Sequence, residues 1–364
     1  MEPVKRYIPV VILIVLIISV QLATKLTDTP FYLTQLTMAA YYSLVVAGLC
    51  VLMGYCGQIS LGHAGFFAIG GYISAGLTTH NLIEYQNNGL VAFLNEYSLL
   101  VTRQDLYGET LLTFQPWAAC ILAILAAVII AFVLGGPILK LKGHYLAMAT
   151  LGFGIIISQI VLATEYFGEA DGISEVPPFK LMSGIEVGGS FGARVLNYYI
   201  AWGLLTVGVI LLLNLIHSRV GRALRSIHGS EEAANAMGIN TANCKLYTFV
   251  LSAALAAVAG VFLTHYNGSI GPSEAGVMKS VRYVAIVAVG GMAHLWGAII
   301  MGTVLNFLSL RGVFGSYDDA VFGGILIIIM LFAPEGILNI NPWQKMKSLF
   351  ALFMVQDKEE SAEN

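Results

Sequence analysis

Residues 29 to 83 form a run of 55 positions without a single Asp, Glu, Lys or Arg. A hydrocarbon core about 30 Å thick is crossed by about 20 helical residues, and the whole run as one helix would be roughly 80 Å long. The chain must therefore turn back within it. Part of the run, GYCGQISLGHAGFFAIGGY at 54–72, carries six glycines together with Gln58, Ser60 and His63. Irregular backbone at membrane depth is tolerated only where it is buried in protein or faces a water-filled cavity. Gly54, Gly57, Gly62 and Gly65 allow a tight re-entry, and the three polar side chains can bond the released peptide groups. Two readings follow: a tight turn with a packing surface, or a turn whose Gln58, Ser60 and His63 also border a permeation route. Beyond it Ala64, Ala68, Gly71 and Ala75 put small side chains on one helical face, where another helix can come close.

Further charge-free runs lie at 110–139, 143–164, 195–218, 246–273, 283–310 and 320–334, and an apolar segment occupies 8–24. With 57% hydrophobic and 11% charged residues, against roughly a quarter charged in soluble domains, the fold class is an all-α polytopic membrane protein. The spans are expected near 8–24, 34–54, 58–79, 116–138, 144–164, 197–216, 246–265, 282–293, 296–311 and 320–334. The first has the basic flank and apolar core of a signal peptide but no convincing small-x-small cleavage site, and reads as a retained span. Ten crossings place Lys5/Arg6, Lys140/Lys142, Arg219/Arg222/Arg225/Lys245 and Lys345/Lys347 all in the cytoplasm, as the positive-inside rule requires. A single helix over 283–310 would put the tail outside, so a break is expected at GGMAHLWG, around Gly290, Gly291 and His294. Both termini are then cytoplasmic, and loops 80–115, 165–196 and 266–281 face outward. Loop 80–115 reads either as a contact for a partner or as a neutral insertion. The transmembrane domain covers 1–344, with a cytoplasmic segment at 218–245, and an acidic tail follows at 345–364.

Ten spans divide into two sets of five, the second inverted relative to the first, with a Gly-interrupted third span in each half: 58–79 and 282–293. Paired interruptions of this kind point to a substrate path in transporters built from inverted repeats. The spans read as free of ionisable residues other than histidine, which opposes a proton- or sodium-driven carrier and leaves no charged pair to grip a zwitterion. No GxxxxGK[ST] loop occurs, so hydrolysis of ATP by that route falls to another subunit. No span shows a nucleophile with a base, so no enzyme is expected. The histidines and the four cysteines lack metal-ligand spacing, no cofactor is implied, and no nucleic-acid signature is present.

The segment SRVGRALRSIHGSEEAANAMGINTANCKLYTFVLSAALAAVAG (218–260) carries the remaining signal. Ser230 can cap a two-turn helix with Glu231 and Glu232 in its first turn, ended by Gly238. Ala233, Ala234 and Met237 are expected to share one apolar patch, suited to a partner's groove. Glu232-Ala233-Ala234 followed by Gly238 matches the EAA-x-x-x-G signature of bacterial ABC importer permeases. GQISLGHAGFFAIGGY, GHYLAMATLGFG (143–154), GEADGIS (168–174), VLSAALAAVAGVF, VAIVAVGGMAHLWGAIIMG and LFAPEGIL (331–338) extend the likeness. Together they resemble the LivM-type permeases of branched-chain amino acid importers from residue 40 to 338.

That resemblance implies an inner-membrane location in a bacterium, docking of 231–238 on a cytoplasmic ATPase subunit, and a second permease chain, either LivH-type or another copy. It also implies a periplasmic binding protein that delivers the solute, with membrane lipid around the spans. The implied solute is leucine, isoleucine or valine; relatives with the same motifs carry urea and short amides. This chain departs from the family at Ala293 and His294, where GGMGSLWG is usual, which leaves the path of that turn open.

Overall fold

The computed structural model describes residues 3–83, 89–104, 108, 110–141, 143–182 and 184–332. The acidic tail at 345–364, the basic pair Lys345/Lys347 and most of LFAPEGIL lie outside the described residues. Each expected span has a helix at its place. In chain order they are α1 (Pro3–Leu26), α2 (Phe31–Cys56), α3 (His63–Thr79), the short α4 (Gly89–Glu96), α5 (Pro116–Ile138), α6 (His144–Ala163) and α7 (Arg194–His217). They continue with α8 (Arg219–Gly229), α9 (Glu231–Ala236), α10 (Thr241–Asn267), α11 (Val277–Gly290), α12 (Leu295–Leu310) and α13 (Asp318–Phe332). Among the described residues six of these, α1, α2, α5, α6, α7 and α10, are long and apolar enough to cross a membrane.

Outside the helices the chain forms two small antiparallel hairpins. Strands β1 (Leu100–Gln104) and β2 (Thr110–Phe114) pair in loop 80–115, and β3 (Phe179–Met182) pairs with β4 (Ile185–Val187) in loop 165–196. The first loop is thus a folded unit, in which Val91 of α4, Leu100 and Leu112 form an apolar cluster of their own.

The helices differ in how much of their surface the bundle covers. α2 is buried along almost its whole length, with Tyr41, Val45, Leu49 and Leu52 fully enclosed. By contrast α1 and α5 expose Ile12, Val15, Ile129 and Val133, as helices in hydrocarbon do. At the centre α3 and α10 run side by side in parallel, joined by two reciprocal Ser–His contacts. His63 of α3 meets Ser252 of α10 at 2.7 Å, and Ser74 of α3 meets His265 of α10 at 2.8 Å. The other ring nitrogen of His265 donates to the Pro177 carbonyl at 2.7 Å, so Nε2 accepts the Ser74 hydroxyl proton. The stripe Ala64, Ala68, Gly71 and Ala75 is buried as expected, but the closest backbone approach is made beside it. A Cβ at Gly260 would overlap the Phe67 carbonyl, and one at Gly70 would overlap the backbone of Ala257.

Both α2 and α10 stop at a glycine in the left-handed conformation, Gly57 (φ 71°) and Gly268 (φ 69°). In each case chain outside any α-helix follows, 58–62 and 269–276, the second including a 3-10 turn at Pro272–Ala275, before a shorter α-helix begins at His63 or Val277. The interruption ahead of α11 is therefore at 268–276, in what was expected to be an outward loop. The Gly290–Gly291 break is real but of another kind. Gly291 (φ 94°) ends α11, and the chain reverses through 291–294 into α12, so 283–310 is not one helix.

The structure overturns the expectation that histidines are the sole ionisable groups in the spans. Arg282 already stood at the edge of the expected span 282–293, and α11 begins early enough to include Lys279 as well. Arg282 is held by Asp319 at 2.9 Å, Asp318 at 3.5 Å and the Ser309 hydroxyl at 3.0 Å, which ties α11, α12 and α13 together. A charged stem so held remains compatible with a helix inside the bundle, and the linear charge count missed it because the carboxylates come from another element.

The α3–α10 contact yields a stability test. Gly260→Ala forces the two backbones apart and should cost about 1–3 kcal/mol, seen as a lower unfolding temperature in detergent. Gly203→Ala, where a Cβ meets open space, is the control expected to leave it unchanged.

Candidate functional site: the interrupted backbone and the α9 knob

The chain from Gly57 to His63 is held almost entirely by its neighbours. The amides of Gly57 and Gln58 close the end of α2 on the carbonyls of Met53 (3.1 Å) and Leu52 (3.2 Å). The Leu61 amide donates to the Thr150 hydroxyl of α6 at 3.0 Å, and the Ala64 amide donates to the Ser280 hydroxyl of α11 at 3.1 Å. Ser60 meets the second nitrogen of His63 at 3.0 Å, so the imidazole lies between two hydroxyls, Ser60 and Ser252. With both ring nitrogens engaged and the residue fully buried, His63 acts as a polar pin between α3 and α10. The sequence had no signal for Thr150, Ser252 and Ser280, because hydroxyls scattered through apolar helices acquire a role only when a distant amide or imidazole is brought to them.

Gln58 differs from its neighbours. It is buried, and neither atom of its amide has a hydrogen-bond partner. It lines a cavity of about 150 Å³ with Cys56, Gly57, His228, Glu231 and Lys245. A pocket of that size has room for water molecules, which can bond a side-chain amide at small entropic cost.

The proposed path residues do not form one cluster. Gly290 and Gly291 are buried, but His294 is exposed in the α11–α12 turn. That turn does meet the first interruption. The Cys50 thiol points at the Met292 carbonyl at 3.4 Å, and Gly54 leaves room for that same carbonyl, which a Cβ would overlap. On the other side Gly57 lies against His228 of α8, whose Nδ1 would be 2.9 Å from an added Cβ. The stretch 54–57 therefore touches the α11–α12 turn and the amphipathic α8 at once.

The segment after α8 folds as its composition dictates. Ser230 accepts from the Ala233 amide at 3.2 Å, two acidic residues occupy the first turn, and Gly238 (φ 81°) takes the left-handed position after the end. The helix is shorter than expected, six residues with Met237 as its cap. The apolar patch is also divided: Ala234 is turned inward, while Ala233 faces out and Met237 is 83% exposed. The physical reason is anchorage. Glu231 reaches Lys245 of α10 at 2.6 Å, with the lysine side chain 9% and the carboxylate 28% exposed, and Thr241 donates to Asn235 at 3.0 Å. These bonds fix one face of α9 against α10, so only the opposite face can meet a partner. The charge of Lys245 was legible as a topology marker, but its pairing with Glu231 was not.

Lys245→Met should leave Glu231 without its counter-charge beside a buried wall. Opening of α9 then becomes easier by about 1.4 kcal/mol or more, which is about tenfold faster amide exchange over 231–240. Exchange over α3 should stay as in the wild type.

Comparison with known proteins identifies the family. The family described as "Branched-chain amino acid transport system / permease component" matches residues 31–330. The high-affinity branched-chain amino acid transport system permease protein LivM of Salmonella typhimurium is 31% identical over 335 residues, covering 86% of this chain and 71% of that protein. LivH of the same organism is 27% identical over 319 residues, 83% of this chain and 92% of its own length. BraD of Pseudomonas aeruginosa is 28% identical over 325 residues, 85% and 96% respectively. No solved structure matches significantly. From α2 to α13, then, the chain belongs to the family of branched-chain amino acid transport system permease components.

Proposed function

We propose that this chain is a permease subunit of an ATP-binding-cassette importer in the bacterial inner membrane, carrying branched-chain amino acids delivered by a periplasmic binding protein. The observation that carries the coupling half of this reading is the α9 knob. Ala233, Met237 and the turn at Gly238 project from a helix anchored on its opposite face by Glu231–Lys245. A rigid, small, partly apolar projection of this kind fits a groove on a cytoplasmic ATPase subunit, with Glu232 at its rim. The substrate follows from the family and from the relatives named above, and urea or short amides have no observation in their favour. A second permease chain completes the passage.

In this reading ten helices cross the membrane, with both termini in the cytoplasm. They divide into α1, α2, α3, α5 and α6, followed by an inverted set of α7, α10, α11, α12 and α13. Support comes from the matching left-handed stops at Gly57 and Gly268, each followed by chain outside any α-helix and then a shorter α-helix. The interruption at 57–62 lies between α8 and the α11–α12 turn, so a push on α9 reaches the passage through His228, Gly57, Gly54 and Met292. In this reading Gln58, Ser60, Gly290 and Gly291 belong to the moving walls of that passage, His63 to its fixed side, and His294 to its exposed rim.

Met237→Asp tests the docking surface without touching the core. Co-purification of the ATPase subunit should fall by about tenfold or more, the usual cost of placing a charge in a hot spot, with the permease itself still folded. Retention of full ATPase attachment and full uptake in vesicles by this variant and by Glu232→Ala would remove α9 as the coupling element. The inverted arrangement has its own check. A cysteine placed at Glu169 should react with an impermeant reagent from the periplasm, and one at Met237 from the cytoplasm alone.

A further inference from the structure

The sequence offered no charged pair able to grip a zwitterion, yet the fold builds one beside α2. Glu274, in the 3-10 turn Pro272–Ala275 ahead of α11, is bonded to Lys279 at 2.8 Å. The phenol of Tyr42 joins both, donating to Glu274 Oε1 at 2.9 Å and accepting from Lys279 Nζ at 3.2 Å. The ammonium also stands 4.5 Å from the centre of the Tyr42 ring. Tyr42 is eleven residues into α2, about 16 Å from its Phe31 end. This is not a surface pair at the mouth of the bundle.

Three further polar atoms around it have no partner. The second oxygen of Glu274, Oε2, is buried and unbonded, and so are the hydroxyls of Tyr72 and Tyr283. Both tyrosines are at least 99% buried, and Tyr72 shares a buried cluster with Ala275, the residue after Glu274. The Tyr283 ring is 6.3 Å and the Phe67 ring 5.8 Å from that of Tyr42. Buried hydroxyls and carboxylate oxygens are nearly always bonded, so three unbonded oxygens near one ion pair leave polar capacity open to a ligand. The side chains of Glu274 and Lys279 are each 19% exposed, so the pair can be reached.

The surroundings suit one chemistry. The interrupted helices α3 and α11 begin next to each other here, the Ala64 amide of one bonded to Ser280 of the other, so two positive helix ends face the same region as Lys279. A carboxylate is favoured there. An ammonium is favoured by Glu274 Oε2 and the two free phenols, and an apolar side chain by the rings of Tyr42 and Phe67. A neutral solute such as urea has no charge to repay the desolvation of an ion pair at this depth.

We propose that Glu274 and Lys279, with the hydroxyls of Tyr72 and Tyr283, form a transit site for the zwitterionic head of an α-amino acid. The inference rests on the amino-acid reading given above and adds where in this chain the cargo is held. The existing Glu274–Lys279 bond closes the site when it is empty, and an arriving ammonium and carboxylate exchange for it. Such a site binds weakly, because each interaction gained replaces one lost, and weak binding is what passage requires.

The test uses the complete transporter in vesicles, with its binding protein and leucine, reading leucine moved per ATP hydrolysed. Glu274→Gln and Lys279→Met should each lower that ratio by about tenfold or more, since each leaves one charge of the head unmatched. Lys279→Arg should restore most of it. Tyr72→Phe and Tyr283→Phe remove one oxygen each and keep the packing, so they serve if the charge variants fail to assemble; each should lower the ratio severalfold. An unaltered ratio in the phenylalanine variants overturns the site, as does uptake falling in strict proportion to ATP hydrolysis in the charge variants. A wild-type complex that moves no leucine overturns the amino-acid reading itself, whereas one that moves it equally well with and without the four side chains overturns the site alone.

Discussion

The structure depends on one constraint: peptide groups released inside an apolar bundle must find partners there. Two helices, α2 and α10, end at left-handed glycines with chain outside any α-helix beyond, and inside an apolar bundle most of what the helix gives up must be met by protein groups. The solution is a set of single hydroxyls at long sequence range. Thr150 takes the Leu61 amide, Ser280 takes the Ala64 amide, and residues near 270 form a bridge with Ile173. Each bond also locks one helix to another, so the same contacts that make the interruption tolerable assemble the bundle.

Those interruptions then place function. Because the first leaves α2 at Gly57, it brings 54–57 between the His228 face of α8 and the Met292 carbonyl, a contact a continuous helix could not make. Because both short helices begin beside each other, their positive ends converge near an ion pair. The reciprocal bonds His63–Ser252 and Ser74–His265 fix the register of α3 against α10.

The α9 segment shows the same logic at a surface. Its helix is too short to be stable from propensity alone. The Ser230 cap, the Glu231–Lys245 pair and the Thr241–Asn235 bond hold it, and their position on one face decides which face is presented. Ala234, read from spacing as part of the docking patch, is consumed by this anchorage.

The sequence by itself determined the fold class, the helix positions and the cap at Ser230, because charge-free length, proline placement and capping residues act locally or through solvent. Gln58, Ser60 and His63 were legible as polar residues in an apolar run, and so was the need to satisfy them. Only the tertiary structure decided how. His63 is a pin between two hydroxyls, the interruption ahead of α11 is at 268–276 while 290–291 is a reversal between two helices, and Glu274 with Lys279 lies well inside the helix length of α2. The reason is that a charge or hydroxyl in a helix has no meaning until its partner is known, and here the partners come from elements tens to hundreds of residues away.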